Sequence, residues 1–302
     1  MATRPARRRT FRTVLLAALA APLAMTARGA VTWEELAAQP APPDGLRQAY
    51  ADESPLQFGV LRLPPGPGPH PVAVVIHGGC WESEYDLRHI EPASAALTEA
   101  GVATWTLEYR RLGDKGGGWP GTLLDVARGV DHLRVLAAEQ PLDLARVVLV
   151  GHSAGGHLAL WAAGRARLPE GSELRTGEPL PVRGVVALAA ISDLRRYALG
   201  DDSCNRSAEK LIGGGERRYG DRYAQASPLE LAPLGVAVRL VHGTDDFIVP
   251  LSQSRRFATQ EGEGNRDVDL AILPGVGHFD LVAPFAPAWR EVQQRVLELA
   301  WR

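Results

Sequence analysis

The chain has 302 residues, 45% of them hydrophobic, and is therefore long enough to bury a sizeable core without metals or many disulfides. Its 33 basic and 35 acidic residues give a formal net charge of -2. A balance this even gives no electrostatic reason to expect nucleic acid or an anionic membrane surface as a partner. Composition thus predicts a globular protein that does not bind nucleic acid.

Residues 1–29 have the three-part pattern of a cleaved export signal. The basic stretch RPARRRTFRT precedes the apolar run VLLAALAAPLAM, which is followed by small residues in TARGAV. This run is shorter than the roughly 20 apolar residues that a membrane-spanning helix needs. Arg8 and Arg9 resemble a twin-arginine signal, with a general secretory route or a retained anchor as alternatives. We expect cleavage after Gly29 or Ala30, no stable membrane insertion afterwards, and export to the periplasm or the extracellular space.

Beyond this signal, apolar β-forming runs alternate with helical patterns along the chain. The runs LRQAYAD and LQFGVLRLP predict an antiparallel edge that leads into a sheet. Later runs are continuously rather than alternately hydrophobic, which predicts strands buried on both faces, as in a parallel sheet. These later strands are expected at 72–79, 102–109, 145–153, 183–192, 236–243 and 268–275.

Helical patterns such as GTLLDVARGVDHLRVLAAEQ, with apolar residues at helical spacing, separate these strands. The alternation predicts an α/β fold, a three-layer sandwich with a mostly parallel central sheet flanked by helices. We expect one domain over residues 30–302, with a polar, cap-like insertion at about 194–235. Ligands bind at the carboxyl ends of the strands in such a sheet, so functional residues are expected there.

The stretch VVLVGHSAGGHLALWAAG places a serine where a predicted strand becomes a predicted helix. Gly151 and Gly155 flank Ser153 in the pattern G-x-S-x-G, which allows the tight turn that exposes a nucleophilic hydroxyl above the sheet. The N-terminus of the following helix favours negative charge that develops there. An ordinary turn that contains a serine is the alternative. We predict that Ser153 is a nucleophile.

A serine nucleophile needs a base to accept its proton, and in this architecture the base comes after the serine and the acid in the chain. Three histidines follow Ser153. His157 lies inside the predicted helix and is expected to pack or cap, while His242 ends a strand and is expected to brace a loop. His278 lies in LPGVGHFD, on a loop after the last strand, where it can reach the serine. We predict that His278 is the general base.

The base in turn needs a carboxylate that orients its ring. VHGTDDFIVP offers Asp245 and Asp246 at the end of a strand, and adjacent side chains project in different directions, so only one of them can face His278. The other aspartate is expected to cap the next helix or to bind the loop backbone. Asp193, which follows an earlier strand, is a further candidate.

Backbone N–H groups must stabilise the oxyanion that forms when a serine attacks a carbonyl. In this architecture they come from the residue after the nucleophile and from a loop after an earlier strand. HGGCW, residues 77–81, supplies that loop, called here the oxyanion loop. The predicted donors are the N–H groups of Gly79, Cys80 and Ala154, and we expect Trp81 to contact the substrate. A plain His-Gly-Gly turn is the alternative.

Taken in order, HGGCW, GHSAGG, HGTDDFIVP and PGVGHFD resemble the α/β-hydrolase superfamily. Within it they are similar to the esterase branch that contains kynurenine formamidase (arylformamidase) and feruloyl and acetyl esterases. The resemblance covers residues 55–300, and its pattern HG-x-x-D-x-x-V-P implies that the acid is Asp246 rather than Asp245. It also implies an α/β-hydrolase fold with no metal and no organic cofactor, and the sequence has no HExxH or C-x-x-C motif.

Two departures from that branch bear on function. A formamidase of tryptophan catabolism is expected in the cytosol, whereas the export pattern favours an ester substrate met outside the cytoplasm. Cys80 stands where relatives often have Gly or Tyr, and Cys204 lies in the insertion. In an oxidising compartment we expect a Cys80–Cys204 disulfide that fixes the insertion beside the oxyanion loop. Such a closure contributes roughly 4 to 5 kcal/mol in the chain-entropy model.

The sequence therefore predicts a serine hydrolase that cleaves carboxylic esters through an acyl-enzyme, with Ser153, His278 and Asp246 as its triad. The expected partner is a small-molecule ester with a small acyl group or a sugar or aryl component. An amide-type hydrolase, either an arylformamidase or a peptidase, is the second interpretation. A non-catalytic binding protein on the same fold is the third.

Overall fold

A sheet of eight strands forms the centre of the part of the protein that the structure describes. The structure is a computed structural model and describes residues 30–302, so the export signal predicted for residues 1–29 lies outside the described residues. In chain order the strands are β1 (Leu46–Ala49), β2 (Phe58–Arg62), β3 (His70–Ile76), β4 (Ala103–Leu107), β5 (Leu142–His152), β6 (Gly184–Leu188), β7 (Ala237–Gly243) and β8 (Val268–Leu273).

The strands stand side by side in the order β1-β2-β4-β3-β5-β6-β7-β8. β1 pairs antiparallel with β2, β2 pairs antiparallel with β4, and the other neighbours pair in parallel. The inner strands β3, β4, β6 and β7 are buried at every position, whereas the edge strands β1 and β8 are partly exposed. The antiparallel lead-in and the mostly parallel sheet that the hydrophobic pattern predicts are therefore confirmed. The expectation that the run at 268–275 is buried on both faces is wrong, because β8 is an edge strand of the described sheet, with a neighbour on one side only.

Helices cover both faces of this sheet. Within residues 30–302, none of them is both long enough and apolar enough to cross a membrane. Short 3₁₀ helices lie at Leu87–Ile90, Arg165–Arg167 and Phe279–Val282. The α-helices are α1 (Trp33–Ala37), α2 (Glu91–Glu99), α3 (Gly121–Asp131), α4 (Leu133–Glu139), α5 (Ala154–Gly164), α6 (Leu194–Tyr197), α7 (Ser203–Ile212), α8 (Glu216–Ala226), α9 (Pro228–Leu231), α10 (Ser252–Gly264) and α11 (Trp289–Trp301).

Strand β3 shows how the sheet builds two cores, because successive side chains of a strand point to opposite faces. Val72, Val74 and Ile76 pack in the core that includes α3, α5 and α10. Ala73 and Val75 pack in the core that includes α2 and α11. The protein is therefore the three-layer α/β sandwich that the sequence predicts.

The chain between β6 and β7 forms α6 to α9, where the sequence predicts an insertion. A disulfide joins Cys204 of α7 to Cys80 with 5.1 Å between the Cα atoms, so the structure contains the expected pairing. Close by, the Ser207 hydroxyl donates a hydrogen bond to Glu82 Oε1 at 2.6 Å. The insertion is thus bound, covalently and by a side-chain hydrogen bond, to the segment that follows β3.

The N-terminal segment, defined here as residues 30–41, packs against the loop that follows β8. The Val31 N–H group donates to Asp280 Oδ2 at 3.0 Å. Thr32 and Glu35 form a capping box at the start of α1, and Leu36 of this helix is 1% exposed. These contacts hold the segment beside the loop on which the sequence predicts the general base.

Candidate active site

Ser153 lies between the end of β5 and the start of α5, as the G-x-S-x-G pattern predicts. Its φ of 57° and ψ of -122° place it in a strained region that residues with side chains rarely adopt. Gly155 is required by close approach, since a Cβ there would lie 2.2 Å from the Ile76 carbonyl oxygen. The Ser153 N–H group donates to the carbonyl of Leu188 at the end of β6. The strained serine is therefore held by two neighbouring strands.

Asp246 and His278 form a hydrogen-bonded pair beside this turn. The distance from His278 Nδ1 to Asp246 Oδ2 is 2.6 Å, and both side chains are almost completely buried. Asp246 Oδ1 accepts the N–H groups of Ile248 at 2.9 Å and Val249 at 2.8 Å. Residues 246–249 are called the acid loop below. Burial opposes ionisation of Asp246, but the interactions with His278, together with the Val249 N–H group and His242, outweigh it and lower the pKa of Asp246 below its ordinary value.

The pairing sets the tautomer of His278. An ionised Asp246 accepts hydrogen bonds only, so the neutral His278 ring carries its proton on Nδ1 and leaves Nε2 as the basic nitrogen. This is the arrangement that a general base acting on a serine requires.

His278 is attached to the serine turn through the residue before Ser153. His152 Nε2 lies 3.0 Å from the backbone carbonyl oxygen of His278, and the two rings are 4.4 Å apart. Burial lowers the pKa of His152 far below its ordinary value, so the ring is neutral and Nε2 donates to that carbonyl. Among the described residues no hydrogen bond joins Ser153 to His278. Such bonds often tighten only when substrate binds.

The other two carboxylates considered from the sequence are engaged elsewhere. Asp193 caps α6 by accepting the Arg196 N–H group at 3.0 Å. Asp245 is exposed and accepts the Thr244 hydroxyl at 2.8 Å. The expectation that Asp245 caps the next helix or binds the loop backbone is wrong, because it is the Asp246 carboxylate that binds the backbone of the acid loop.

His242 and His157 have the structural roles that the sequence predicts. His242 Nε2 lies 2.9 Å from the Val249 carbonyl oxygen and Nδ1 lies 2.8 Å from Ser254 Oγ, so this ring braces the acid loop. Burial lowers the pKa of His157 to about 4, and its Nε2 donates to the Ala226 carbonyl oxygen at 2.9 Å. His157 therefore joins α5 to the end of α8.

The oxyanion loop approaches the serine closely and has an unusual backbone. A Cβ on Gly78 would lie 2.8 Å from the His152 carbonyl oxygen and 3.1 Å from Ser153 Cβ. Gly79 has a φ of 102°, and the next two residues also have positive φ, which is uncommon for residues with side chains. Within residues 30–302 the N–H groups of Gly79 and Cys80 donate no hydrogen bond. They are therefore free to bind a substrate oxygen.

Ala154 supplies a third N–H group from the other side. It is the first residue of α5, and the first four N–H groups of a helix have no partner within the helix. The Ala154 N–H group therefore lies next to Ser153 in the chain without a partner in its own helix, and its part in an oxyanion hole with Gly79 and Cys80 stays a prediction.

Trp81 is not placed to contact a substrate, and this expectation is wrong. The side chain is 0% exposed. Its indole N–H donates to His157 Nδ1 at 3.3 Å, and the two rings pack edge to face with centroids 5.2 Å apart. Trp81 therefore fastens the oxyanion loop to α5.

His77, Glu108 and Tyr109 also support the oxyanion loop, and no sequence motif marks the last two as functional. His77 Nε2 lies 3.0 Å from Glu108 Oε1, and the Tyr109 hydroxyl donates to the His77 carbonyl oxygen at 2.8 Å. Burial raises the pKa of Glu108, but His77, Arg111 and the Tyr109 N–H group together outweigh it, so the net shift of the pKa is downward. The sequence signal for this support is Glu108 near the end of the apolar run VATWTLEY, because a carboxylate buried at the end of a strand needs a partner.

No group of three or more His, Cys, Asp or Glu side chains in residues 30–302 is arranged to hold a metal ion. The chemistry that the site can support is instead that of a strained serine, a histidine paired with a carboxylate and a set of backbone donors. Together with the sheet order, these features define an α/β-hydrolase fold. Residues 61–260, more than half of the chain, match the family model BD-FAE. The chain therefore belongs to the BD-FAE family.

Curated relatives include esterases and a formamidase. The chain is 29% identical over 252 residues to the esterase LipC of Mycobacterium tuberculosis, a match that covers 78% of this chain and 60% of LipC. It is 28% identical over 255 residues to the kynurenine formamidase avaC of Aspergillus versicolor, covering 72% of this chain and 83% of avaC. The chain spans 51% to 60% of the length of three mycobacterial relatives that it matches.

Solved structures share the fold. A truncated carbohydrate esterase from gut microbiota superposes with a TM-score of 0.74 at 20% identity, covering 87% of this chain and 98% of that chain. An esterase of Thermogutta terrifontis with butyrate bound superposes with a TM-score of 0.69 at 21% identity, covering 85% of this chain and 93% of that chain. The predicted fold and the resemblance to an esterase branch are both confirmed.

Proposed function

We propose that this protein is a serine hydrolase that cleaves carboxylic esters. The observation that carries the proposal is the strained Ser153, which lies beside the hydrogen-bonded pair of His278 and Asp246. The names of LipC and of the Thermogutta terrifontis protein, both esterases, support the same reaction class.

In the first half of the reaction, Ser153 Oγ attacks the ester carbonyl carbon while His278 Nε2 accepts the hydroxyl proton. Asp246 keeps the ring in the tautomer described above and stabilises the imidazolium. The bond between the carbonyl carbon and the alcohol oxygen then breaks. His278 gives its proton to that oxygen, the alcohol leaves, and the acyl group remains on Ser153.

In the second half, water takes the place of the alcohol. His278 Nε2 accepts a proton from the water as its oxygen attacks the acyl carbon, and then returns that proton to Ser153 Oγ as the acid leaves. In both halves the carbonyl oxygen becomes an oxyanion. It is held by the N–H groups of Gly79, Cys80 and Ala154, and the N-terminus of α5 adds a favourable dipole.

The substrate is an ester with a small acyl group or with a sugar or aryl component. Neighbours of the same fold include the carbohydrate esterase from gut microbiota and an acetyl ester-xyloside bifunctional hydrolase from Caldicellulosiruptor lactoaceticus. The export pattern and the disulfide support a site of action outside the cytoplasm, where disulfides persist.

An amide-type reaction is the second candidate, and the relative avaC favours it, since the match covers 83% of that formamidase. The same residues would cleave an N-formyl aryl amine by the same steps. The ratio of kcat/KM for phenyl acetate to that for an N-formyl aryl amine decides between the two. We expect the ester to be preferred by at least about tenfold, which corresponds to about 1.4 kcal/mol in the transition state.

Hydrolysis of p-nitrophenyl acetate tests the nucleophile. We expect Ser153→Ala to lower turnover by about four to six orders of magnitude, because the acyl-enzyme can no longer form. Ser252→Ala is the matched control, since Ser252 is an exposed serine at the start of α10, and we expect it to keep the activity of the wild type. A Ser153→Ala protein with near-normal turnover contradicts the proposal.

A further inference from the structure

A cavity of about 390 Å³ lies between the N-terminal segment and the chain around Tyr85, and no step of the proposed reaction uses it. Its volume is within the range of small-molecule sites. Trp33 and Gln39 line it from the N-terminal segment, and Glu84, Tyr85 and Asp86 line it from the opposite side.

The wall of this cavity contacts both sides of the candidate active site. Tyr85 packs against the oxyanion loop so closely that a Cβ on Gly79 would lie 2.3 Å from Tyr85 Cβ. Trp33 lies 5.7 Å from the ring of Phe279, which in turn packs edge to face on His278 at 5.2 Å. Two residues that line the cavity are therefore linked to the candidate site, Tyr85 directly to Gly79 and Trp33 through Phe279 to the predicted base.

The aromatic part of the wall is fixed and partly open to solvent. The rings of Trp33 and Tyr85 meet edge to face at 5.1 Å, and both residues are half-buried. Trp33 also packs against the core that includes Val31 and Leu36. A preorganised aromatic surface of this kind costs little entropy when a ligand binds.

The charges of the wall disfavour an anionic ligand. Asp86 is paired with Arg88 at 2.8 Å and Glu91 with Arg62 at 2.7 Å, so most of the charge at the cavity is already compensated. Glu84 adds a carboxylate that is exposed and for which the described residues provide no ion pair. Aromatic faces attract the partly positive C–H groups of a sugar ring, and carboxylate and amide oxygens accept hydrogen bonds from its hydroxyl groups.

We propose that this cavity binds a neutral sugar unit in the alcohol part of the ester, an inference that rests on the proposed function. The alcohol oxygen receives its proton from His278 when it leaves, so the alcohol must lie on the His278 side of the carbonyl. Phe279 connects that side to Trp33. Trp33 therefore sets specificity for the alcohol, while the acyl carbon stays at Ser153.

Trp33→Ala tests the proposal with two acetate esters that differ only in the alcohol, vinyl acetate and a mono-acetylated methyl glucoside. We expect KM for the sugar ester to rise about tenfold, as for loss of one aromatic contact, with kcat/KM for vinyl acetate unchanged. Trp301→Ala is the matched control, since Trp301 is 54% exposed at the C-terminal end of α11 and does not line the cavity. We expect no change in this control for either ester.

Two kinetic outcomes overturn the proposal. One is an equal loss with both esters, which would make Trp33 a general support of the site. The other is a loss with phenyl acetate as large as with the sugar ester, which would assign the cavity to aryl alcohols. Trp33→Phe keeps an aromatic face and is expected to restore most of the KM, which separates a binding role from a folding defect.

A binding measurement keeps this test independent of the proposed function. Methyl glucoside is not an ester, and its binding to the Ser153→Ala protein can be followed by isothermal titration. We expect binding that Trp33→Ala weakens about tenfold in the same background. If the wild type hydrolyses no ester but this binding is seen, the proposed function fails and the cavity assignment stands. If esters are hydrolysed and no sugar binds, the cavity assignment fails alone.

Discussion

The oxyanion loop approaches Ser153 and the acid loop pairs with His278, but the two loops are held in place differently. The acid loop is held locally, because Asp246 accepts N–H groups from residues two and three positions later. The oxyanion loop has three successive residues with positive φ and is tied by a disulfide to α7, 124 residues further along the chain. The geometry of the acid loop is therefore encoded within a few residues, whereas that of the oxyanion loop depends on the insertion.

This difference separates the two halves of the proposed chemistry. Changes in the acid loop affect the base, and changes in the disulfide affect the donors to the oxyanion. Substitutions in the two loops should therefore impair different parts of the reaction, and the sizes of their effects should also differ.

The largest effect in this comparison is expected for Asp246→Asn. The amide oxygen still accepts the N–H groups of the acid loop, but His278 loses the carboxylate that orients it and stabilises its charge. We expect turnover of p-nitrophenyl acetate to fall about ten-thousandfold with little change in folding. The matched control is Asp245→Asn on the exposed neighbour, which should remain within about twofold of the wild type. Equal losses in both variants would contradict the assignment of Asp246.

The next effect concerns the disulfide. Cys204→Ala opens a loop of more than a hundred residues, and we expect the free energy of unfolding to fall by about 4 to 5 kcal/mol in the chain-entropy model. We also expect turnover to fall at temperatures where the variant is folded, because the oxyanion loop is no longer fastened to α7. Reductant should lower the stability of the wild type in the same way and leave the variant unchanged. If the reduced protein is stable and fully active, the oxyanion loop keeps its geometry without the disulfide, and the contrast with the acid loop is contradicted.

A smaller effect is expected for Trp81→Phe. The substitution removes the hydrogen bond to His157 and keeps an aromatic ring in the core. We expect a loss of about 1 kcal/mol in the free energy of unfolding and an unchanged KM, measured by chemical denaturation and by steady-state kinetics. A large increase in KM without loss of stability would instead indicate that Trp81 contacts the substrate, contrary to what its burial implies.

The smallest effect is in the pH dependence of stability. The pKa of Asp246 is lowered in the folded protein from 3.8, so its ionised form contributes stability above pH 3.8 that is lost as the pH falls through the folded value. Asp246→Asn removes this contribution. The difference in unfolding free energy between the wild type and Asp246→Asn should therefore be constant at higher pH and shrink below pH 3.8. If this difference in unfolding free energy does not change with pH, the claim that Asp246 is ionised beside His278 with a lowered pKa is contradicted.

Local sequence patterns predict those parts of the site that are local in the chain. The serine turn follows from two glycines, a strand and a helix, and the parallel sheet follows from continuous apolar runs. The roles of His157 and His242 follow from their positions within a helix and at the end of a strand. The partners of His242 lie 7 and 12 residues away in the chain, whereas those of His157 lie 69 and 76 residues away, so the sequence predicts that His157 packs but not what it contacts.

Parts of the site that depend on distant contacts are harder to predict. The sequence places Trp81 in the oxyanion loop but does not show that it is buried and hydrogen-bonded to His157 of α5. Likewise, Glu108 after an apolar run indicates a buried carboxylate but not that its partner is His77, and nothing near Trp33 in the chain shows that it lies next to Phe279. These positions follow from packing across the fold, which one sequence does not display.

The most direct test of the central claim is covalent labelling with a fluorophosphonate, a reagent that reacts with activated serine hydroxyls. The site of the adduct would be found by mass spectrometry after proteolysis. We expect one adduct per chain on the peptide that contains Ser153, strongly reduced in His278→Ala and unchanged in Ser252→Ala. An adduct on a different serine, or ester hydrolysis by a protein that the reagent does not label, would contradict the assignment of Ser153 as the nucleophile.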